Sequence, residues 1–220
     1  MILFFLADPV TLCSPAPMNR SLDPLLTQRL SGPARPGRGV APPAAPTPCT
    51  GSQNKSMTVQ VRRLAVGDWE ILREVRLRAL REAPQSFYEA YDDSVAQTEA
   101  DWRARLGDPT KVTLLAESDG QPAGMVIGVP AGPDERDPDA ALMLSMWVDP
   151  AFRGVGVADA LTAELLVWSR EQSFKRLLLW VYDAAPRAAA FYRRAGFEST
   201  GRVDTFYDAT RPLTLMVQNL

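Results

Sequence analysis

An α/β fold with a mixed central sheet is predicted from Thr58 onward, on three observations. Short β-branched or apolar runs alternate with amphipathic stretches of helical period. Two runs, Ala140–Val148 and Arg176–Tyr182, are apolar but for Ser145 and Arg176, as strands covered on both faces are. The segment between them carries a helical pattern long enough for a crossover. The predicted order is β-α-α-β-β-β-α-β-α-β-β, with helices on the sheet's faces.

Val59–Leu64 alternates as a strand. Gly67-Asp68 opens a helix with Trp69, Leu72, Val75 and Ala79 on one face and Arg73, Glu74, Arg78 and Arg81 on the other. Pro84 stops it. Residues 84–97 read as an aromatic and acidic connection. Thr98, with Asp101 three residues on, makes a capping-box start for a second helix carrying Trp102 and Leu106. Lys111–Glu117 and Ala123–Val129 flank Ser118-Asp119-Gly120, a hairpin signal. Residues 130–139 form a proline-rich acidic loop. Ala140–Val148 is a buried strand, and Val157–Gln172 a helix burying Ala158, Leu161, Leu165 and Trp168. Arg176–Tyr182 is the next strand. Pro186–Ala195 is a short helix closed by Gly196 in a favoured C′ position. Phe197–Tyr207 and Leu213–Gln218 supply the last strands. No internal repeat is present.

The first 56 residues differ in character. They hold 10 of the 19 prolines and cannot bury enough surface to offset their ordering entropy. They are expected to be a disordered tail, a start-site extension ahead of Met57, with one domain over residues 57–220. Met1–Ala7 is apolar but lacks a basic start, and Asp8-Pro9 ends it, so a signal peptide is not expected. The tail holds five basic and two acidic residues against a net charge of −2, which leaves the domain at −5. Neither nucleic acid nor an anionic membrane is an expected partner. The chain has no histidine, which removes the histidine-based triads and the commonest metal ligand. No metal is expected. Both cysteines, Cys13 and Cys49, lie in the tail, and a cysteine-free domain suits a cytoplasmic location.

The chemistry concentrates after Val148-Asp149-Pro150, in Arg153-Gly154-Val155-Gly156-Val157-Ala158. Two glycines ahead of a helix let successive N–H groups converge, and the helix N-terminus adds partial positive charge. Such a turn binds phosphate or pyrophosphate, and Arg153 can clamp a further oxygen. A P-loop would need Gly-Lys-Ser/Thr, which is missing. A dinucleotide fingerprint would need a small residue at 159 and an acid some 20 residues on, where Asp159 and Phe174-Lys175-Arg176 stand.

Arg153-x-x-Gly156-x-Ala158 resembles the acetyl-CoA signature of the GNAT N-acetyltransferase superfamily. The preceding Val148 and Pro150 resemble it too, as does Ala188-x-x-Phe191-Tyr192-x-Arg194-x-Gly196-Phe197. The resemblance covers about residues 58–220. It implies a GNAT-like sheet with a splay between the fourth and fifth strands, and an N-acetyltransferase carrying acetyl from acetyl-CoA to a primary amine in a ternary complex. It implies that the pyrophosphate lies on Arg153, Gly154, Val155, Gly156, Val157 and Ala158. It implies that the pantetheine arm runs along Met146, Trp147 and Val148, pairing with the backbone of Met146 and Val148. Tyr192 occupies the position of the acid that protonates the leaving thiolate. Ala185 stands where the family often has asparagine, and Arg187 is the nearby charge that can compensate. The alternative is a non-catalytic acyl-CoA sensor. The acceptor stays open among small amines, amino acids, antibiotics and protein amines, with residues 84–97 as its expected neighbourhood. Glu89 and Glu117 are uncommitted candidates for a base. Either a monomer or a homodimer is compatible with the sequence.

Overall fold

The computed structural model describes residues 58–206 and 208–220. The tail over residues 1–56 and the start at Met57 lie outside the described residues.

Each strand forms where its pattern asks for one. Strand β1 (Val59–Arg63) is followed by a 3-10 turn at Val66–Asp68 and helix α1 (Trp69–Glu82). Pro84 begins another 3-10 turn rather than continuing the helix. The connection predicted over 84–97 contains a short helix, α2 (Tyr91–Val95), that periodicity is too brief to reveal. Helix α3 (Glu99–Leu106) starts at Thr98, whose hydroxyl accepts from the Asp101 N–H while the Asp101 carboxylate accepts from Thr98.

Strands β2 (Val112–Ser118) and β3 (Gln121–Pro130) form a hairpin around Asp119 and Gly120, whose φ values of 50° and 76° suit a two-residue turn. Strand β4 (Ala140–Val148) is buried along all nine residues. Helix α4 (Val157–Glu171), strand β5 (Arg176–Tyr182), helix α5 (Pro186–Arg194), β6 (Glu198–Asp204) and β7 (Leu213–Asn219) complete the order. The seven strands make one sheet, β1-β2-β3-β4-β5-β7-β6, in which β4 and β5 are parallel and every other pair is antiparallel.

The sheet is covered on both faces, which is why β4 has no polar side. On one face α4 buries Val157, Leu161, Leu165 and Trp168. Its approach depends on two glycines of β3. A Cβ at Gly124 would stand 2.6 Å from the Trp147 carbonyl oxygen, and one at Gly128 would stand 2.5 Å from Leu165. On the other face α1 and α3 pack Leu72, Val75, Leu80 and Trp102 against Leu115, Met125 and Trp147. α4 thereby places its N-terminus beside the end of β4.

Candidate active site

The site begins where β4 and β5 part. They pair only at Ala140–Arg176, Ala141–Leu177 and Leu142–Leu178, although both strands continue. On its other edge β4 bulges. Ile127 pairs with Leu144 and Met125 with Trp147, so β4 spends one residue more than β3, and Ser145 takes φ 54°. A positive φ outside glycine is strained and persists where the surroundings enforce it. Beyond the bulge the Asp149 N–H donates to the Ala123 oxygen at 2.9 Å, toward β3. Backbone direction alternates along a strand, so Trp147 faces β3 as well, while Met146 and Val148 face the opening toward β5.

Next to the opening lies the glycine turn. Gly154 and Gly156 have φ of 81° and 92°, and a Cβ at either would meet nothing within 4 Å. Glycine is needed here for backbone conformation, and it leaves an open concavity. Gly156 caps α4 without a side-chain bond. The N–H groups of the first turn, from Val157, Ala158 and Asp159, have no acceptor within the helix. Val155 is exposed, whereas Val157 and Ala158 are buried and fix the turn to the core.

Arg153, expected as a phosphate clamp, also has partners within the protein. Its Nε donates to the Val148 oxygen at 3.1 Å and its Nη2 to Glu82 at 3.0 Å. The same Glu82 oxygen accepts from the Trp147 indole at 3.1 Å. Arg153 therefore ties the end of α1 to the end of β4. Trp147 brings only backbone to β4, its ring lying in the α1 core. Ala185 is fully buried as the N-cap of α5, its N–H donating to the Tyr182 oxygen at 3.0 Å. Arg187 is exposed in the first turn of the same helix.

Tyr192 is fully buried on α5, with Phe191 and Phe197 edge-on at 5.2 and 5.7 Å. Its hydroxyl has no hydrogen-bond partner, and burial raises its pKa well above the usual phenol value. A buried hydroxyl without a partner is costly in a finished core and is the state expected of a group awaiting one.

The α1–α3 face holds what the sequence does not show. Arg76 is 1% exposed. Its Nη1 donates to Ser145 Oγ at 3.0 Å, its Nη2 to Glu89 at 3.0 Å, and its guanidinium lies 4.5 Å from the Phe87 ring centre. Glu89 also accepts from Arg105 and, at 2.8 Å, from Gln97. Although burial opposes it, the bonds from Arg105 and the charge of Arg76 lower the Glu89 pKa to about 2. A carboxylate so held is a poor proton acceptor, which removes Glu89 as a candidate base. Glu117 is on β2, paired with β1 and 3.6 Å from Arg62, with β3 and β4 between its strand and the opening. The acidic character expected of residues 84–97 is thus cancelled at its buried member, and Asp92 and Asp93 are exposed.

Arg76 and Arg105 line a cavity of about 570 Å³ over β2, β3 and β4, floored by Met125, Ile127, Leu142 and Leu144. One signal marked Arg76 in the sequence: it stands four residues after Leu72 and four before Leu80, in the buried stripe of α1.

A mixed sheet whose parallel central strands separate beside a glycine turn and a helix N-terminus defines a class. The acetyltransferase (GNAT) family model matches residues 76–197, and the chain belongs to that family. A mycothiol acetyltransferase of Cellulomonas flavigena is 33% identical over 159 residues, covering 68% of this chain and 43% of that protein. The chain spans less than half the length of the first curated relatives it matches. Among solved structures, a GNAT-family acetyltransferase from Streptococcus pneumoniae superposes with TM-score 0.59 at 19% identity, covering 74% of this chain and 99% of that one. The PaiA N-acetyltransferase of Thermoplasma acidophilum, solved in complex with coenzyme A, superposes with TM-score 0.52 at 16% identity over 74% of this chain and all of that one. Among the described residues no helix is long and apolar enough to cross a membrane.

Proposed function

We propose that the chain is an N-acetyltransferase that moves acetyl from acetyl-CoA to a primary amine by direct attack in a ternary complex. The observation that carries this reading is the opening between β4 and β5 beside an uncapped helix N-terminus. The residues fit such a co-substrate. The turn offers the N–H groups of Val157, Ala158 and Asp159 to pyrophosphate, with no side chain at Gly154 or Gly156 to obstruct it. The unpaired edge of β4 offers the backbone of Met146 and Val148 to an extended pantetheine arm, as an added strand would use it. The Val148 carbonyl already accepts from Arg153, so Arg153 acts by holding that edge in place.

When bound, acetyl-CoA supplies an acyl group on a thiol, a fair leaving group with a pKa near about 8.5. The Val148 N–H, facing the opening, donates to the thioester carbonyl oxygen as negative charge grows there. Tyr192 supplies a proton to the departing sulfur. Burial holds the hydroxyl in its protonated form, and the donation is driven by the charge that grows on the sulfur as the C–S bond breaks. A cysteine-free domain suits work in a reducing cytoplasm.

The test is thiol release from acetyl-CoA across a panel of amines, run beside thermal unfolding with acetyl-CoA. Amine-dependent release is the expected result. A rise in Tm with no release from any amine would leave a sensor in place of an enzyme.

A further inference from the structure

The cavity on the α1–α3 face carries an imbalance of charge that acetyl transfer alone does not explain. Two guanidinium groups, Arg76 and Arg105, share the single carboxylate of Glu89. Arg76 is buried, and burial lowers its pKa only to about 10, so it remains a cation at neutral pH. Its Nη1 and Nη2 are bonded, but its Nε is buried with no partner. A buried cation that shares its counter-ion with a second cation is under-compensated. Lys111 also lines the cavity, but Asp108 pairs with it at 2.8 Å, so the unmatched charge lies on the two arginines. On the opposite wall stand Asp134 and Glu135, and both Glu135 oxygens are already bonded, to the Trp180 indole at 3.1 Å and the Gly132 N–H at 2.8 Å. Between these walls the floor is aliphatic: Leu72, Met125, Ile127, Leu142 and Leu144.

We propose that this cavity is the acceptor site and that it takes a free α-amino acid with an apolar side chain, its carboxylate received by Arg76 and Arg105. The proposal rests on the N-acetyltransferase reading and names its substrate class. Three features converge on it. The missing anion belongs on the arginines, where a carboxylate makes charge-assisted bonds. The aliphatic floor suits an apolar side chain, and the volume falls in the range of small-molecule sites. The third feature is position. Arg76 holds Ser145, one residue before Met146, whose backbone faces the opening. A carboxylate on Arg76 therefore leaves a nitrogen on the adjacent carbon pointing toward the thioester, and an α-amino acid has that spacing. An amine without a carboxylate would bring only apolar surface or a further cation to this wall.

The experiment compares leucine, leucinamide and isoamylamine as acceptors in steady-state thiol release, with wild type and Arg105→Gln. Arg105 is part-exposed, and its replacement removes the second cation from Glu89 while Arg76 keeps its own bond to that carboxylate. The expected kcat/KM for leucine exceeds that for leucinamide or isoamylamine by about 10²-fold, the scale of a charge-assisted contact in a desolvated site. Arg105→Gln should lower the leucine value about 10-fold and shrink the advantage of leucine over isoamylamine by about the same factor. Equal or better turnover of leucinamide, which mimics a protein N-terminus, would overturn the proposal while the acetyltransferase reading stands. If no amine releases thiol, the acetyltransferase reading fails and the cavity is read separately. Leucine should still raise the Tm of wild type and not of Arg105→Gln, and no rise in either would overturn the amino-acid site as well.

Discussion

The two halves of the site are made of different material. The proposed donor half, from Met146 to Ala158, is backbone: strand edge, positive-φ glycines and the start of α4. The proposed acceptor half, around Arg76, Arg105 and Glu89, is side chain, and its members come from α1, α3 and the connection between them. Backbone recognition tolerates any residue that keeps the path of the chain but fails when a Cβ is added. Side-chain recognition fails when a charge is deleted even though shape is kept.

That contrast orders the tests. Glu89→Gln keeps shape but strands two arginines, one of them buried, and should cost about 3–5 kcal/mol in denaturant unfolding. It should also remove an acid-side slope. The Glu89 pKa is lowered from its ordinary 4.5 to about 2, so its contribution is complete above about 4.5 and is lost as pH falls from there toward 2. A variant that keeps the wild-type slope would show that Glu89 is not the buried counter-ion. Tyr192→Phe should reduce kcat about 10²-fold, the low end for a lost general acid, with unchanged or higher Tm because the hydroxyl has no partner to lose. A drop in Tm with unchanged kcat would make Tyr192 a core residue only. Gly156→Val attacks the backbone half. A β-branched residue at φ 92° should cost about 2 kcal/mol of stability and weaken acetyl-CoA binding, measured by calorimetry, while leaving the arginine cluster intact. Unchanged affinity would move the phosphate site elsewhere. Asp159→Asn should matter least. Its pair with Arg194 is 2.9 Å long but more than half exposed on both sides, so a change below about 0.5 kcal/mol is expected.

The difference in material also explains what could be read in advance. The donor half is local in sequence. Strand, turn and helix follow one another, and the glycines advertise a backbone need at the place where it occurs. β4 and β5 have the bounds that their apolar runs predict. The Thr98–Asp101 capping box is equally local, and it forms. The family resemblance implies a bulge in this strand, but its place at Ser145 is not legible from the residues, because a serine in an apolar run says nothing of a register slip imposed by β3. Nor is the packing role of Gly124 and Gly128, which depends on the distance between α4 and β3. That Arg153 also pairs with Glu82 is not legible, because Glu82 lies 71 residues away. Residues 84–97 looked acidic because Glu89 is adjacent in the chain to Asp92 and Asp93, whereas in space it is adjacent to Arg76 and Arg105.

By itself the amino-acid sequence determined the order of elements, the α/β class, the family signature and the glycine turn ahead of α4. These rest on period, turn chemistry and short-range spacing, which act within a few residues. Only the tertiary structure decided where β4 leaves β5, which carboxylate is neutralised, and that a buried arginine faces an aliphatic cavity. Those features are sums of contacts between segments dozens of residues apart. Burial and pairing of charge are properties of such sums rather than of any segment.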